Sequence, residues 1–488
     1  MNKIVKSVAT VTVVGLVTRA LSFLYRIILT RNISSYDLGV YQLTLSFFMV
    51  LITFTSSGVP LAISRRTSAE KNNTSKRLSE IACSGLVLTL AFAILFCGAI
   101  IAFKNIFNTF FTDKRSYDML LICLPALVFS CVYSAFRGSL WGRKKFAQYS
   151  LVELFEELIS IATLAVLFYV VKPHFDTLFY PAIAVSLSVV GASIFAFICY
   201  YINGGRLIFR KNELRPTLEI SSPITFSRVL SSFASSILAL LLPSRLILFG
   251  LSHKDAMSLV GLVSGVAFPL LFVPSSFISS IALVLVPEIS EDLAKKRNVT
   301  AKIQKAFAIT ILVSSLVVPI YLTLGNEICS ILFKKPEAGK YLVASAVAII
   351  PMGLNQLAVS FLNSAGGEKY GFTNFLIGVS VAIFMVIFLT PYISIYANIL
   401  SMILQPTIIF SLNLFRMSKL LKIQKRQLLK TLSFFLIIFP SIIVGFFVKY
   451  ISSMLPTLLS TFFTLISIFV FFALSTYSLA KYKKKSIE

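Results

Sequence analysis

Ile81-Ala-Cys-Ser-Gly-Leu-Val-Leu-Thr-Leu-Ala-Phe-Ala-Ile-Leu-Phe-Cys-Gly-Ala-Ile-Ile-Ala-Phe103 carries no charged side chain along its whole length. A bilayer core about 30 Å thick is crossed by about 20 apolar residues in an α-helix, the form in which a lone segment satisfies its own backbone away from water. The stretch therefore predicts a membrane helix over 78–103. Read outward from it, the same pattern recurs at 6–30, 36–62, 117–136, 150–171, 177–201, 221–249 and 257–286. It continues at 304–324, 339–361, 372–390, 393–415, 430–450 and 455–478, with the 372–415 pair divided only at Thr390–Pro391. The chain reads as an all-α membrane protein of about fourteen transmembrane helices, with no connection long enough for a separate soluble domain.

Composition agrees. Of 488 residues, 57% are hydrophobic and 13% charged, and the mean hydropathy is +0.89. Soluble domains carry about 25% charged residues, and none of this size could hide so much apolar surface. The net charge of +26 would suggest nucleic acid in a soluble chain. Here the Lys and Arg form short clusters between apolar stretches, which points instead to topology and to anionic membrane lipids as partners. Connections such as Arg65 to Arg77, Arg137 to Lys145, Arg206 to Arg215, Lys295 to Lys302 and Arg416 to Lys430 alternate with basic-poor ones. The tally is about 30 against about 10, so both termini are expected in the cytoplasm and the protein in the plasma membrane. The first apolar segment runs straight into a second, unlike a cleavable leader.

Catalytic readings find no support. There is no Walker loop, HExxH, GxSxG or paired acidic motif, and His174 and His253 stand alone in short outward connections. The six cysteines show no CxxC spacing and read as buried structural thiols, so no metal and no cofactor is expected. The chain is expected to be a transporter, not an enzyme.

Two pairs of segments recur about 225 residues apart. Ser134-Ala-Phe-Arg-Gly-Ser-Leu-Trp-Gly-Arg-Lys-Lys145 pairs with Ser360-Phe-Leu-Asn-Ser-Ala-Gly-Gly-Glu-Lys369, and Val59-Pro-Leu-Ala-Ile-Ser64 with Val286-Pro-Glu-Ile-Ser290. They predict two pseudo-symmetric six-helix lobes, 1–215 and 216–427, followed by two further helices and a basic tail over 428–488. Transporters built on repeats hold substrate between them near the midplane.

A charge deep in hydrocarbon costs about 2.5–3.5 kcal/mol on insertion scales and normally faces a cavity or a partner. Arg19 and Arg26 lie seven residues apart on the first helix and share a face; Arg228 and Arg245 lie on the seventh, the latter beyond the Leu242-Pro-Ser kink. Carboxylates are few: Asp37 and Asp118 at span ends, and Glu153, Glu156 and Glu157, read as interfacial partners of Arg143, Lys144 and Lys145. An excess of guanidinium selects an anion, and its planar fork suits phosphate. Ser56, Ser57, Ser227, Ser231 and Ser232 add hydroxyls, and Asn355 and Gln356 are candidate contacts to sugar hydroxyls. Pro60, Pro243, Pro269, Pro274, Pro287 and Pro351 supply bends.

Thr18-Arg-Ala-Leu-Ser-Phe-Leu-Tyr-Arg-Ile-Ile-Leu-Thr-Arg31, Tyr36-Asp-Leu-Gly-Val-Tyr-Gln42 and Gly58-Val-Pro-Leu-Ala-Ile-Ser64 resemble the opening of the stage V sporulation protein B family. Leu242-Pro-Ser-Arg-Leu246, Phe268-Pro-Leu-Leu-Phe-Val-Pro274 and Leu285-Val-Pro-Glu-Ile-Ser290 resemble its middle, so the likeness covers about the first 370 residues. That family is a polysaccharide-transporter branch of the multidrug/oligosaccharidyl-lipid/polysaccharide exporter superfamily, related to MurJ-type lipid II flippases. The resemblance implies a MATE/MurJ-like fold and a monomeric alternating-access flippase for polyprenyl-pyrophosphate-linked saccharides, such as peptidoglycan precursors or other wall, spore or surface polysaccharide units. Arg19, Arg26, Arg228 and Arg245 would hold the pyrophosphate. Arg26 falls one residue later than in MurJ-type chains, and Ser56-Ser57 and Ser264-Gly265 replace their charged positions, which favours the sporulation branch over lipid II itself. The rival readings are a cation-coupled MATE-type multidrug antiporter, which needs an intramembrane carboxylate, and an intramembrane glycosyltransferase, which needs a catalytic outward loop.

Overall fold

In lipid, a backbone N–H or C=O has no solvent partner, so apolar segments of this length close their hydrogen bonds internally. The computed structural model describes residues 3–70, 74–111, 113–171, 176–295, 297–421 and 435–485, which contain helices and no strand. Fourteen of these helices are long and apolar enough to cross a membrane. The predicted fold class and the number of spans agree with this. His174 and the start of the thirteenth predicted span, 430–434, lie outside the described residues.

Most helices run beyond their predicted limits. The fourth covers Arg115–Gly142 against a predicted 117–136, and the ninth Thr300–Phe333 against 304–324. Hydropathy registers only the part of a helix that lipid demands; hydrogen bonding carries the coil on through polar residues until a breaker stops it.

Packing divides the chain into Met1–Ser244 and Arg245–Glu488. The division 1–215, 216–427 and 428–488 concerns repeat topology and stands as a proposal on its own grounds. The N-terminal unit holds α1 (Val11–Asn32), α2 (Ser35–Ala69), α3 (Ser75–Ala102), α4 (Arg115–Gly142), α5 (Phe146–Val171) and α6 (Thr177–Ile202), with most of α7 (Lys211–Leu248). Small residues let its helices approach, and hydroxyls stitch them: Ser186 donates to the Ile122 carbonyl at 2.6 Å and Ser193 to that of Phe129 at 2.7 Å, joining α6 to α4.

Ion pairs clasp both ends of this unit. At the end expected in the cytoplasm, buried Glu213 pairs with Arg66 and Arg77, and Glu80 with Arg77 at 3.3 Å and Arg210 at 3.5 Å. At the opposite end, Arg115 reaches Asp113 at 3.1 Å, Asp37 at 3.3 Å and Asp176 at 3.0 Å. Burial alone would raise the Asp113 carboxyl. The Tyr36 hydroxyl and the Arg115 backbone N–H and guanidinium outweigh it and hold the group below its ordinary range.

The C-terminal unit holds α8 (His253–Ala282, continuous with a helix that ends at Ala294), α9 (Thr300–Phe333), α10 (Pro336–Ser364), α11 (Glu368–Ile393), α12 (Tyr396–Leu420), α13 (Phe435–Met454) and α14 (Thr457–Ser478). Its core gathers Ile278, Ile303, Phe307, Ile311, Leu357 and Phe361. Asn374 on α11 donates to Asn413 on α12 at 2.8 Å, and Asn413 donates to Asn355 on α10 at 3.1 Å, an amide chain across three helices. On α13 and α14, Phe439, Phe447, Leu458 and Phe462 are exposed, as side chains facing lipid tails would be.

Candidate functional site: a basic cavity in the N-terminal unit

The break in α2 begins the site. Its helix runs Ser35–Ser56, bends at Ser57 and Gly58, and restarts as Val59–Ala69 with Pro60 in the first turn. Proline tolerates that position because its missing N–H would have had no partner there. The bend turns Ser56 and Ser57 inward. Ser56 shares a hydrogen bond with Ser130 of α4 at 3.1 Å, and the Ser57 carbonyl accepts from Arg228 Nη1 at 2.7 Å. Gly138 of α4 lies against the restart, where a Cβ would stand 2.7 Å from the Pro60 carbonyl oxygen.

Between these elements opens a cavity of about 390 Å³, within the ordinary range for ligand sites. Ser56, Ser57, Pro60, Leu61 and Ser64 line it from α2, and Ser130, Tyr133, Ser134, Arg137 and Trp141 from α4. Tyr149 of α5 and Arg228 of α7 complete it. Arg137 donates from Nη2 to Glu153 at 2.5 Å, and its guanidinium centre lies 4.0 Å from the Tyr149 ring centroid and 5.2 Å from that of Tyr133. Trp141, the sole tryptophan of the chain, packs edge-on to Phe146 and Tyr149 at 5.0 and 4.6 Å.

A second hollow lies beside the turn from α4 to α5, lined by Thr67, Ser68, Ser75, Arg143, Lys144 and Asn203 among others. Arg143 donates to the Asn203 carbonyl at 2.7 Å and lies over the Tyr200 ring, and burial lowers its pKa.

Of the residues singled out from sequence, Arg228 lines the cavity. Arg19 is exposed and Arg26 half-buried on α1, and neither lines it. Arg245 is half-buried, with its Nε buried and unpartnered among the described residues. Asn355 belongs to the amide chain described above, and Gln356 is half-buried next to it.

One expectation is corrected. Glu153, Glu156 and Glu157 do not pair with Arg143, Lys144 and Lys145: Glu153 binds Arg137, and Glu157 accepts from Ser22 of α1 at 2.6 Å. Residues three and four apart share a helix face, so α5 turns this group toward α4 and α1 and away from the preceding turn. Arg137 is the cavity residue that sequence reading missed, because the fourth span was ended at 136 and Arg137 was counted with the loop cluster. The signal was Tyr133-x-x-x-Arg137, a ring and a cation one turn apart.

Fourteen apolar helices among the described residues define a multi-pass membrane protein, and the N-terminal unit holds a cavity with two arginines and several serines in its lining. The inward closed conformation of the lipid II flippase MurJ superposes with a TM-score of 0.73 at 14% identity, covering 96% of this chain and 99% of that one. The inward-facing conformation of a multidrug resistance MATE family transporter of the MOP superfamily gives 0.67 at 15% identity, covering 83% and 96%. At such identities the likeness is one of fold. In sequence, the chain belongs to the family described as "Polysaccharide biosynthesis protein", whose profile matches residues 4–292. It is 24% identical to stage V sporulation protein B of Bacillus subtilis (strain 168) over 460 residues, 90% of this chain and 88% of that protein. It is 22% identical to sporulation protein YkvU of the same organism, over 70% of this chain and 78% of that protein.

Proposed function

We propose that the chain is a flippase for polyprenyl-diphosphate-linked saccharides, a peptidoglycan precursor or another wall, spore or surface unit, working by alternating access. The observation that carries this reading is the cavity beside the α2 break: two guanidinium groups, Arg137 and Arg228, with the hydroxyls of Ser56, Ser57, Ser64, Ser130 and Ser134. Guanidinium and hydroxyl donors suit a phosphorylated headgroup and its sugars, whereas a cationic drug would meet repulsion. Arg19, Arg26 and Arg245 are proposed to join Arg228 in handling the diphosphate during the cycle, and Asn355 and Gln356 to meet the saccharide. The acting form is a monomer in the plasma membrane, with both termini cytoplasmic and anionic lipids around its basic loops.

Proteoliposomes test it. The purified chain should translocate a fluorescent polyprenyl-diphosphate oligosaccharide. Arg228→Ala should slow translocation roughly ten- to hundredfold, the equivalent of about 1.5–3 kcal/mol for a lost charge-assisted hydrogen bond. Cation-driven efflux of a cationic dye with no movement of the lipid would replace the proposal with multidrug antiport.

A further inference from the structure

Arg137 and Glu153 differ in how enclosed they are. The arginine side chain is 19% exposed and the glutamate 41%. The guanidinium lies over the Tyr149 and Tyr133 rings, while the carboxylate, on the first two turns of α5, is the more exposed of the two. One contact from Nη2 occupies only part of a donor set of five N–H groups. The Nε of Arg137 is buried with no hydrogen-bond partner among the described residues, and so is the hydroxyl of Ser57 in the same cavity. Donors without a protein partner beside a cavity call for an acceptor, which water or a ligand can supply.

Charge identifies that ligand. Arg137 and Arg228 bring two positive charges to the lining; Glu153 offsets one of them through its contact with Arg137, and Glu156, beside Tyr133, faces the same guanidinium with or without that contact. A diphosphate diester carries about two negative charges and enough oxygens to meet a guanidinium at each phosphoryl group. A single carboxylate offers one charge and is the weaker of the two competitors for Arg137.

We propose that Arg137 is the fixed diphosphate receptor of this cavity and that Glu153 is its resting counter-ion, displaced when the lipid's diphosphate enters. The proposal rests on the flippase reading and adds to it a named residue and an exchange. An empty cavity keeps its guanidinium neutralised by Glu153, and a loaded one frees Glu153.

Trp141 lines the same cavity, so its emission reads binding without a label. The full chain in nanodiscs is titrated with a short-chain polyprenyl diphosphate, with the corresponding polyprenol, and with a soluble uridine-diphosphate sugar. The lipid diphosphate is expected to shift Trp141 emission saturably, the polyprenol to leave it unchanged, and the soluble sugar nucleotide to bind at least tenfold more weakly. Arg137→Gln should weaken lipid diphosphate binding at least tenfold. Glu153→Gln should tighten it by about tenfold, since a competitor that occupies the receptor lowers apparent affinity by the fraction it leaves open.

Undiminished binding in Arg137→Gln overturns the receptor assignment and leaves the flippase reading intact. Weaker or unchanged binding in Glu153→Gln overturns the exchange and makes the pair structural. Glu153→Gln alone decides the matter if Arg137→Gln fails to fold. Equal binding of the soluble sugar nucleotide overturns the lipid as the source of the diphosphate. No response to lipid diphosphate in any variant overturns this proposal and the flippase reading together.

Discussion

Gly138 shows how one missing side chain permits the cavity. A Cβ there would stand 2.7 Å from the Pro60 carbonyl oxygen and 2.8 Å from its Cα, and both are backbone atoms that cannot swing aside. Gly138→Val should therefore drive α4 away from the α2 break, at a cost of roughly 1–3 kcal/mol for overpacking. Thermal unfolding in detergent should show the loss as a lowered midpoint, together with altered Trp141 emission. Gly15 on α1 has nothing within 4 Å of its Cβ position and serves as the control, where alanine should be neutral or slightly stabilising. A Gly138→Val protein as stable as the parent would mean that the two helices are not in tight contact. At this scale the sequence showed which charges were unusual but not which of them meet. Arg228 stood out because an intramembrane arginine is rare. Arg137 did not, because it lies five residues before the end of α4, about 7.5 Å along the axis, where hydropathy had already fallen into the loop.

Elements are tied together by a few polar contacts whose partners lie far apart in sequence. Lys449 near the end of α13 places Nζ 2.7 Å from Glu327 Oε1 and 2.7 Å from the Thr323 carbonyl, both on α9. The second Glu327 oxygen is buried and has no partner among the described residues. The pair is about a quarter exposed, so solvent screens it in part. Removing one partner of a buried pair strands the other; with that screening, Lys449→Met should cost about 1–3 kcal/mol and loosen α13 from α9. Lys449→Met combined with Glu327→Gln should recover most of the loss, because the stranded charge goes with its partner. A double-mutant cycle read by thermal unfolding measures this, and additive losses would show that the contact contributes nothing. Nothing in the sequence joins Lys449 to Glu327, which lies 122 residues away on another span. Helices themselves were legible for the opposite reason, since each span is a local property of about twenty consecutive residues.

For the whole molecule, number and class of elements were legible because lipid imposes them segment by segment. The partners of Glu153 and the amide chain of Asn374, Asn413 and Asn355 were not, because they depend on which faces three-dimensional packing brings together. Orientation is another whole-chain property, and it rests on the distribution of Lys and Arg. Ion pairing complicates a count of net charge: Arg66, Arg77 and Arg210 meet Glu213 or Glu80, and Lys302 meets Asp292 at 2.7 Å. The orientation rule counts basic residues near span ends and gives acidic ones little weight, so these pairs leave the assignment unchanged. Lys254, exposed at the start of α8, should then face the outside, and Asn298, exposed between α8 and α9, the cytoplasm. Five of the six native cysteines are buried and Cys97 is partly so, which leaves little background for thiol labelling. In intact cells a membrane-impermeant maleimide should react with Lys254→Cys and spare Asn298→Cys until the membrane is permeabilised. The reverse pattern would invert the chain and place the Arg137 end of α4 toward the outer face, where a flippase would release its lipid instead of collecting it.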